Sequence, residues 1–403
     1  MEKIYERDAY ESKFVARVAD IVEKGGRIHV TLDSTAFFPG GGGQESDTGT
    51  LDSGAGLAQV VNVYEKDGNI WHECELSGSF SSGQKVEGIV NWERRYSMMK
   101  SHTAEHILFH SLKETFKNIQ MVKVHITPEG ASIILQRNDE LSMDGVIEAE
   151  KLANSVVSKG LPVTIKEYKK EELPEGVRAK LERIETDDVR VVHIGDFDLC
   201  ACAGLHVKNT GEIGILTVSN ISREGTGQHK VSFLVGADAQ EYLLQTKLAC
   251  ERACIILQTT SDKLDKTAGN LRAEKERLEQ AVKSLNERIL DELNPAKIGN
   301  YHFYSKLLSG MDSKKLMAKA GELIKTGRTI VLFGNRDGEK GFLVIAKSPD
   351  TFVNIKTIAD NAFEKMGGKG GGPDNFLTGA GDGKKLGEAF GGAEEELTEK
   401  LIS

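Results

Sequence analysis

The residues whose types and spacing could do chemistry are His102, His106, Cys202 and His206, two pairs with the same i, i+4 separation. On a helix, residues four apart lie on one face, about 6 Å apart along the axis, so two imidazoles can close on one metal ion. Neither pair alone would make a site. A fold that joins them offers imidazoles and a thiolate, the ligand number and softness that Zn²⁺ prefers. The expectation is a zinc site. His110 continues the histidine row but stands about 12 Å along the axis from His102, too far to share an ion, and it reads as structural. Cys200 lies two residues before Cys202 and points to the same side if the segment is extended, a rival ligand; the i, i+4 match to His206 favours Cys202. Cys250 and Cys254 sit at helical spacing and read as small apolar packers.

A second chemical feature is the loop FFPGGGGQESDTG, residues 37–49. Consecutive glycines such as Gly41, Gly42 and Gly43 allow positive φ and close approach of backbone N–H groups to a ligand, although a plain hairpin turn has the same composition. A P-loop would need lysine and then serine or threonine after the last glycine. Gln44 and Glu45 stand there, which argues against nucleoside triphosphate binding. A further cluster, GGKGGGP at 367–373, could cradle a phosphate by backbone donors plus the Lys369 charge, or could be a flexible loop.

These residues need a frame. Arg27 to Leu32, Leu57 to Tyr64 and Val86 to Val90 alternate as strands between glycine turns, so residues 1–90 read as a small β-barrel-like domain carrying the glycine-rich loop. From Trp92 to Phe116 apolar residues recur at three and four, an amphipathic helix holding the first histidine pair. A helix Val146 to Ser158, a strand Pro162 to Tyr168 and a strand Val189 to Ile194 complete an α+β domain over 91–238. Residues 239–296 form a helical spacer with leucine at 257, 264, 271, 278 and 285, a one-sided coiled-coil seam. Gly269 and Asn270 are expected to break it into a hairpin, and Pro295 to stop it. It serves either as a spacer packed on its own neighbours or as a dimerisation helix. Strands Thr329 to Phe333 and Gly341 to Ala346 belong to an α/β domain over 297–403, and the whole chain is classed α+β.

Composition narrows the setting. The 403 residues exceed one core and imply two to four domains. The hydrophobic share of 39% and the mean hydropathy of −0.33 fit a soluble protein. The charged N-terminus has no apolar leader and no run of 18 apolar residues occurs, so no membrane is expected and the cytoplasm is. Five cysteines are too few for a disulfide framework and read as reduced. A net charge of −9 gives no global attraction to nucleic acid, so RNA binding must rest on local patches.

The segments RRYSMMKSHTAEHILFHSL, VRVVHIGDFDLCACAGLHVKNTGEIG and STAFFPGGGGQESDTG resemble the editing domain of alanyl-tRNA synthetase and its freestanding relatives, the alanyl-tRNA editing proteins of the AlaX type. GGKGGGPDNFLTGAG is similar to the DHHA1 domain that ends the synthetase and the long freestanding form. The resemblance covers nearly the whole chain in the same order. It implies a zinc-dependent hydrolase that deacylates mischarged tRNA(Ala), chiefly Ser-tRNA(Ala) and by extension Gly-tRNA(Ala), in trans. A synthetase pocket shaped for alanine rejects a smaller or merely hydroxylated side chain weakly, so a hydrolytic second sieve is needed.

By the same resemblance, Thr35 matches a threonine expected to contact the serine hydroxyl. Gln44 matches the glutamine that closes the loop and is expected to position substrate. The expected partner is the acceptor end of tRNA(Ala), docked by Lys369, Gly370, Gly371, Lys384 and Lys385 together with Arg94, Arg95 and Lys100. A homodimer through the helical spacer and C-terminal domain is a further expectation. The family's usual Cys-Gly-Gly-Thr-His reads here as Cys202, Ala203, Gly204, Leu205 and His206, with Ala201 where proline often stands, and Leu205 removes a hydroxyl expected near the metal. No aminoacylation region precedes the editing segment and no Asp-His-His triplet occurs, which disfavours a synthetase or a DHH phosphoesterase. Other readings are a catalytically silent zinc-containing tRNA-binding protein and a hydrolase of another aminoacyl-tRNA.

Overall fold

The computed structural model describes residues 1–179 and 186–402 and is a mixed α+β structure in two compact units, Met1–Glu251 and Arg252–Ser403. Among the described residues no helix is long and apolar enough to cross a membrane.

The first unit opens with a closed barrel of strands in the spatial order Lys13–Lys24, Arg27–Leu32, Asn69–Gly78, Gly56–Lys66, Gly49–Asp52 and Lys85–Val90, all neighbours antiparallel. Alternation explains the closure: Phe14, Ala16 and Val18, then Val86 and Val90, point inward while their neighbours face water. The helix Trp92–Thr115 follows, its N-terminus capped by the Asn91 side chain, which accepts from the Arg94 N–H at 3.2 Å. Its middle is buried all round, from Ser101 to Phe109, rather than along one stripe. The reason is a partner on every side: the helix Met143–Ser158, the sheet Leu216–Gly225, Gln228–Val235, Gly130–Gln136, Gln120–Thr127, and the barrel share one continuous apolar core with it. The change of architecture at residue 90 is therefore a change of sheet within a single core.

A three-stranded antiparallel sheet, Val163–Lys169, Asp188–Ile194 and Asp198–Ala201, delivers the chain to the cysteine segment.

The spacer breaks earlier than its glycine suggests. One helix runs Gly236–Leu257, Gln258 turns with φ +49°, and a second helix runs Leu264–Asp291 straight through Gly269 and Asn270. An exposed glycine costs a helix about 1 kcal/mol, which 28 residues with the ion pairs Arg272–Glu276 and Lys275–Glu279 absorb. The left-handed Gln258, closed by the Thr259 N–H on the Cys254 carbonyl at 3.0 Å, ends the first helix instead.

The second unit is a six-stranded sheet in the order Ala296–Ile298, Tyr301–Ser309, Thr329–Asp337, Lys340–Lys347, Phe376–Asp382, Lys369–Gly371. Only Tyr301–Ser309 and Thr329–Asp337 run parallel, joined through the helix Ser313–Leu323. Helices Ile355–Lys365 and Leu386–Ile402 cover one face and Ser313–Leu323 the other. The cluster at 367–373, open in the sequence to a loop or a phosphate cradle, contains an edge strand, Lys369–Gly371. A Cβ at Gly370 or at Gly379 would lie 2.3 Å from the Phe363 ring, so these glycines let a helix seat its aromatic directly on the sheet.

Candidate metal centre

The histidine helix carries His102 and His106 on one face, as i, i+4 spacing requires. Cys202 and His206 are not helical: they sit in a loop after the strand Asp198–Ala201. That loop is pinned by its backbone. The Cys202 N–H donates to the Arg190 carbonyl at 3.1 Å, and Arg190 Nη1 donates to the Cys202 and Gly204 carbonyls at 2.5 and 2.9 Å. The Val207 N–H donates to Thr103 Oγ1 at 3.2 Å, tying the loop to the helix. One potential ligand atom from each of His102, His106, Cys202 and His206 falls within 4.8 Å of all the others. Cys200 stays outside this group.

Hydrogen bonds decide which ring atoms face inward. Gln44 Oε1 can only accept, so its 2.8 Å contact to His102 Nδ1 places the proton there and turns the Nε2 lone pair toward Cys202 Sγ, 3.3 Å away. Thr103 donates its hydroxyl to the Met99 carbonyl at 3.0 Å, so its oxygen accepts from His206 Nδ1 at 3.2 Å, and His206 Nε2 is left buried with no hydrogen-bond partner among the described residues. His106 Nδ1 lies 3.5 Å from Asp198 Oδ2. Asp198 in turn accepts from Arg178 at 2.8 and 2.6 Å and from His110 at 3.0 Å. His110 thus orients a carboxylate beside the cluster.

This donor set fits zinc. Bonds of about 2.0 to 2.3 Å put tetrahedral ligand atoms about 3.3 to 3.7 Å apart, so atoms spread over up to 4.8 Å would draw in around an ion, and histidines oriented by a carboxylate, an amide and a hydroxyl are the usual outer support of such an ion. Protonation states fit at Cys202 and His206. Burial alone would raise the Cys202 thiol, but His102, His106 and His206 outweigh it and hold the thiol well below its ordinary value. Burial and the neighbouring His102 push His206 down to about 3, so Cys202 and His206 are in their metal-binding forms at neutral pH, whereas the Cys200 and Cys202 thiols and Asp198 outweigh burial and hold His106 well above its ordinary value, a proton it would give up on binding an ion.

The glycine loop lies against this cluster. Gly40 to Gly43 all have positive φ, and a Cβ on Gly42 would stand 3.6 Å from His102 Cε1 and 3.8 Å from Cys202 Sγ. At Gly43 a Cβ would strike the Val124 carbonyl at 2.4 Å. Gln44 closes the loop, its Oε1 also accepting the Leu205 N–H at 3.2 Å, while its Nε2 is buried without a partner among the described residues. The Leu205 side chain, which stands where a hydroxyl was expected, is buried in the core, and its backbone N–H is what faces Gln44.

Thr35 is fully buried and hydrogen-bonds His72 rather than a ligand of the cluster. His72 Nδ1 faces the Val30 carbonyl at 2.9 Å and so carries the proton; Thr35 donates to Nε2 at 2.8 Å and accepts the Phe37 N–H at 3.1 Å, leaving one lone pair.

Among the basic residues expected to dock RNA, Arg95 is corrected. It is fully buried, paired with Asp47 and bonded to the Ala36 carbonyl, so it bridges the glycine loop to the histidine helix. Arg94 is half-buried and pairs with Glu45 at 2.8 Å, and Lys100 lies 4.9 Å over the Tyr96 ring. Lys369, Lys384 and Lys385 are exposed in the second unit, Lys384 3.6 Å from Glu339.

Residues 4–94 match the family described as tRNA synthetases class II (A), and residues 189–229, which enclose Cys202 and His206, match the threonyl and alanyl tRNA synthetase second additional domain. The chain is 30% identical over 412 residues to the alanyl-tRNA editing protein AlaX-L of Pyrococcus horikoshii, covering 100% of this chain and 99% of that protein. It belongs to the AlaX-L family. Alanine–tRNA ligases of Methanococcus vannielii and Fervidobacterium nodosum are 28% and 30% identical over 94% and 92% of this chain, which spans only 42% and 43% of their length. For an AlaX-L protein the supports Arg190, Asp198, Arg178 and Thr103 carry no spacing signal and emerge only from the fold. Glu105, at i+3 from His102, was legible on the helix face and went unused.

Proposed function

We propose that this chain hydrolyses mischarged tRNA(Ala) in trans, chiefly Ser-tRNA(Ala) and by extension Gly-tRNA(Ala), with Zn²⁺ held by His102, His106, Cys202 and His206. The relative it matches end to end is named an alanyl-tRNA editing protein. The observation that carries the reading is a cluster of three buried histidines and a half-buried cysteine with a positive-φ glycine loop laid against it and an amide donor, Gln44 Nε2, beside it that has no partner among the described residues.

Bound zinc supplies Lewis-acid polarisation of the ester carbonyl or a water of lowered pKa. Gln44 Nε2 donates to the carbonyl oxygen as charge develops on it, the part that preorganised donors play in acyl transfer. The lone pair left on Thr35 Oγ1 accepts from the seryl hydroxyl, and His72 Nε2 holds the Thr35 proton so that the oxygen faces substrate as an acceptor. An alanyl group leaves that acceptor unpaired. Gly41, Gly42 and Gly43 keep the approach free of side chains.

The wider organisation belongs to the same proposal: residues 1–90 and 91–238 form the zinc editing portion, 239–296 the spacer and 297–403 a DHHA1-like domain. Lys369, Lys384 and Lys385, with the strand Lys369–Gly371, meet the acceptor end of tRNA(Ala), and the protein works in the cytoplasm as a homodimer. A deacylation assay with seryl, glycyl and alanyl esters of tRNA(Ala), with metal content measured on the same sample, tests the reading. The expected result is one zinc per chain and serine released at least about 100-fold faster than alanine. Equal release of serine and alanine would overturn it.

A further inference from the structure

Glu105 stands inside the histidine pair, three residues after His102 and next to His106. Its side chain is 4% exposed, its Oε2 lies 3.7 Å from His106 Nε2, and its Oε1 is buried with no hydrogen-bond partner among the described residues. The nearby guanidinium of Arg178 is already engaged, donating to both oxygens of Asp198 at 2.8 and 2.6 Å. Apart from its approach to the His106 imidazole, the Glu105 carboxyl has no partner among the described residues, and burial pushes it up, so its charged form is unfavourable and persists only where a cation answers it. The four clustered donors supply that cation's place, where a dication would meet the Cys202 thiolate and the Glu105 carboxylate, while Arg178 is taken up by Asp198.

We infer that Glu105 is the charge-balancing anion of the metal centre, so that five side chains rather than four set its hold on a divalent cation. This rests on the zinc reading above. Glu105 adds no bulk to the core that an amide would not, so Glu105→Gln removes the charge and keeps the shape. It separates an electrostatic role from a packing one.

The test is competition of Zn²⁺ and Co²⁺ against a chromophoric chelator, using the full-length protein freed of metal, with wild type, Glu105→Gln and Glu105→Met in parallel. Both variants are expected to bind each ion about 10- to 100-fold more weakly. The rise in Tm on adding zinc is expected to shrink, while metal-free Glu105→Gln melts no lower than the metal-free wild type. Circular dichroism of the metal-free proteins shows which variants fold, and either folded variant suffices. A folded variant binding zinc within about twofold of wild type overturns the role of Glu105 alone. A wild type that takes up neither ion overturns the zinc reading, and this inference with it.

Discussion

Gln44 Oε1 accepts from His102 Nδ1 at 2.8 Å and from the Leu205 N–H at 3.2 Å, so one amide oxygen ties the glycine loop, the histidine helix and the cysteine loop together. The other end of the same side chain, Nε2, is buried and has no hydrogen-bond partner among the described residues. The two ends separate by substitution. Gln44→Glu keeps the acceptor and removes the donor, so the deacylation rate is expected to fall about 100-fold with zinc content unchanged. Gln44→Ala also releases the His102 ring, and zinc affinity is expected to drop about tenfold or more. Single-turnover deacylation and metal analysis on the same preparations check both; a Gln44→Glu enzyme as fast as wild type removes the donor from the mechanism.

Cys200 and Cys202 are two residues apart, yet their environments diverge. Burial raises the Cys200 thiol, whereas three histidines hold the Cys202 thiol down. Only a thiolate binds zinc well. Cys202→Ala is expected to weaken zinc binding by about 100-fold or more, and Cys200→Ala to leave it within a few-fold. Zinc retained by Cys202→Ala and lost from Cys200→Ala would reverse the assignment.

How much of this was legible follows from range. The histidine pair and the strands Arg27–Leu32 and Lys85–Val90 obey local periods, and the sequence shows them directly. The glycine loop was legible as a run able to take positive φ, but a hairpin turn has the same composition, and its approach to His102 and Cys202 depends on elements far away in sequence. Arg95 was misread because a surface arginine and a buried one look alike in one dimension; its partner Asp47 lies in the loop, far away in sequence. The same holds for Asp198, whose role depends on Arg178 and His110 arriving from other elements. Gly269 misled because a single exposed glycine marks a weak point only when its helix has nothing else to hold it.

Thr35 offers one lone pair, since its hydroxyl proton goes to His72 and its oxygen already accepts the Phe37 N–H. Thr35→Val keeps the shape and removes the acceptor. The kcat/KM for Ser-tRNA(Ala) is expected to fall about 10- to 100-fold, and that for Gly-tRNA(Ala) to change little, because glycine brings no hydroxyl. The glycyl substrate also reports any general loss from leaving His72 Nε2 unpaired. A parallel fall for both esters would show that Thr35 supports the barrel alone.

His72 sets a pH dependence of stability. Burial pushes it down to about 4, below the ordinary value near 6.5 that the unfolded chain shows. As pH falls, the unfolded chain takes up the proton first, so stability is full above about pH 6.5 and is lost between there and about pH 4, by roughly 3 kcal/mol in all. His72→Gln retains a donor and an acceptor and does not titrate. Its Tm is expected to fall less steeply over that window than the wild-type Tm; identical slopes would assign the acid sensitivity to other groups.

The helix Leu264–Asp291 presents Leu271, Leu278 and Leu285 at 51%, 53% and 55% exposure, spaced by seven, with Val282 and Ile289 beside them. Five large apolar side chains along one line of a charged helix leave an apolar seam in water, and a second copy of the same helix matches it in period and width. Sedimentation is expected to show a dimer at micromolar concentration. Leu278→Glu with Leu285→Glu places like charges across that seam and is expected to yield monomers. Because these leucines lie outside the metal centre, zinc content is expected to stay at the wild-type level. A wild type that remains monomeric as its concentration rises to about 100 μM, above the dissociation constant of a weak coiled coil, would leave the seam without this partner.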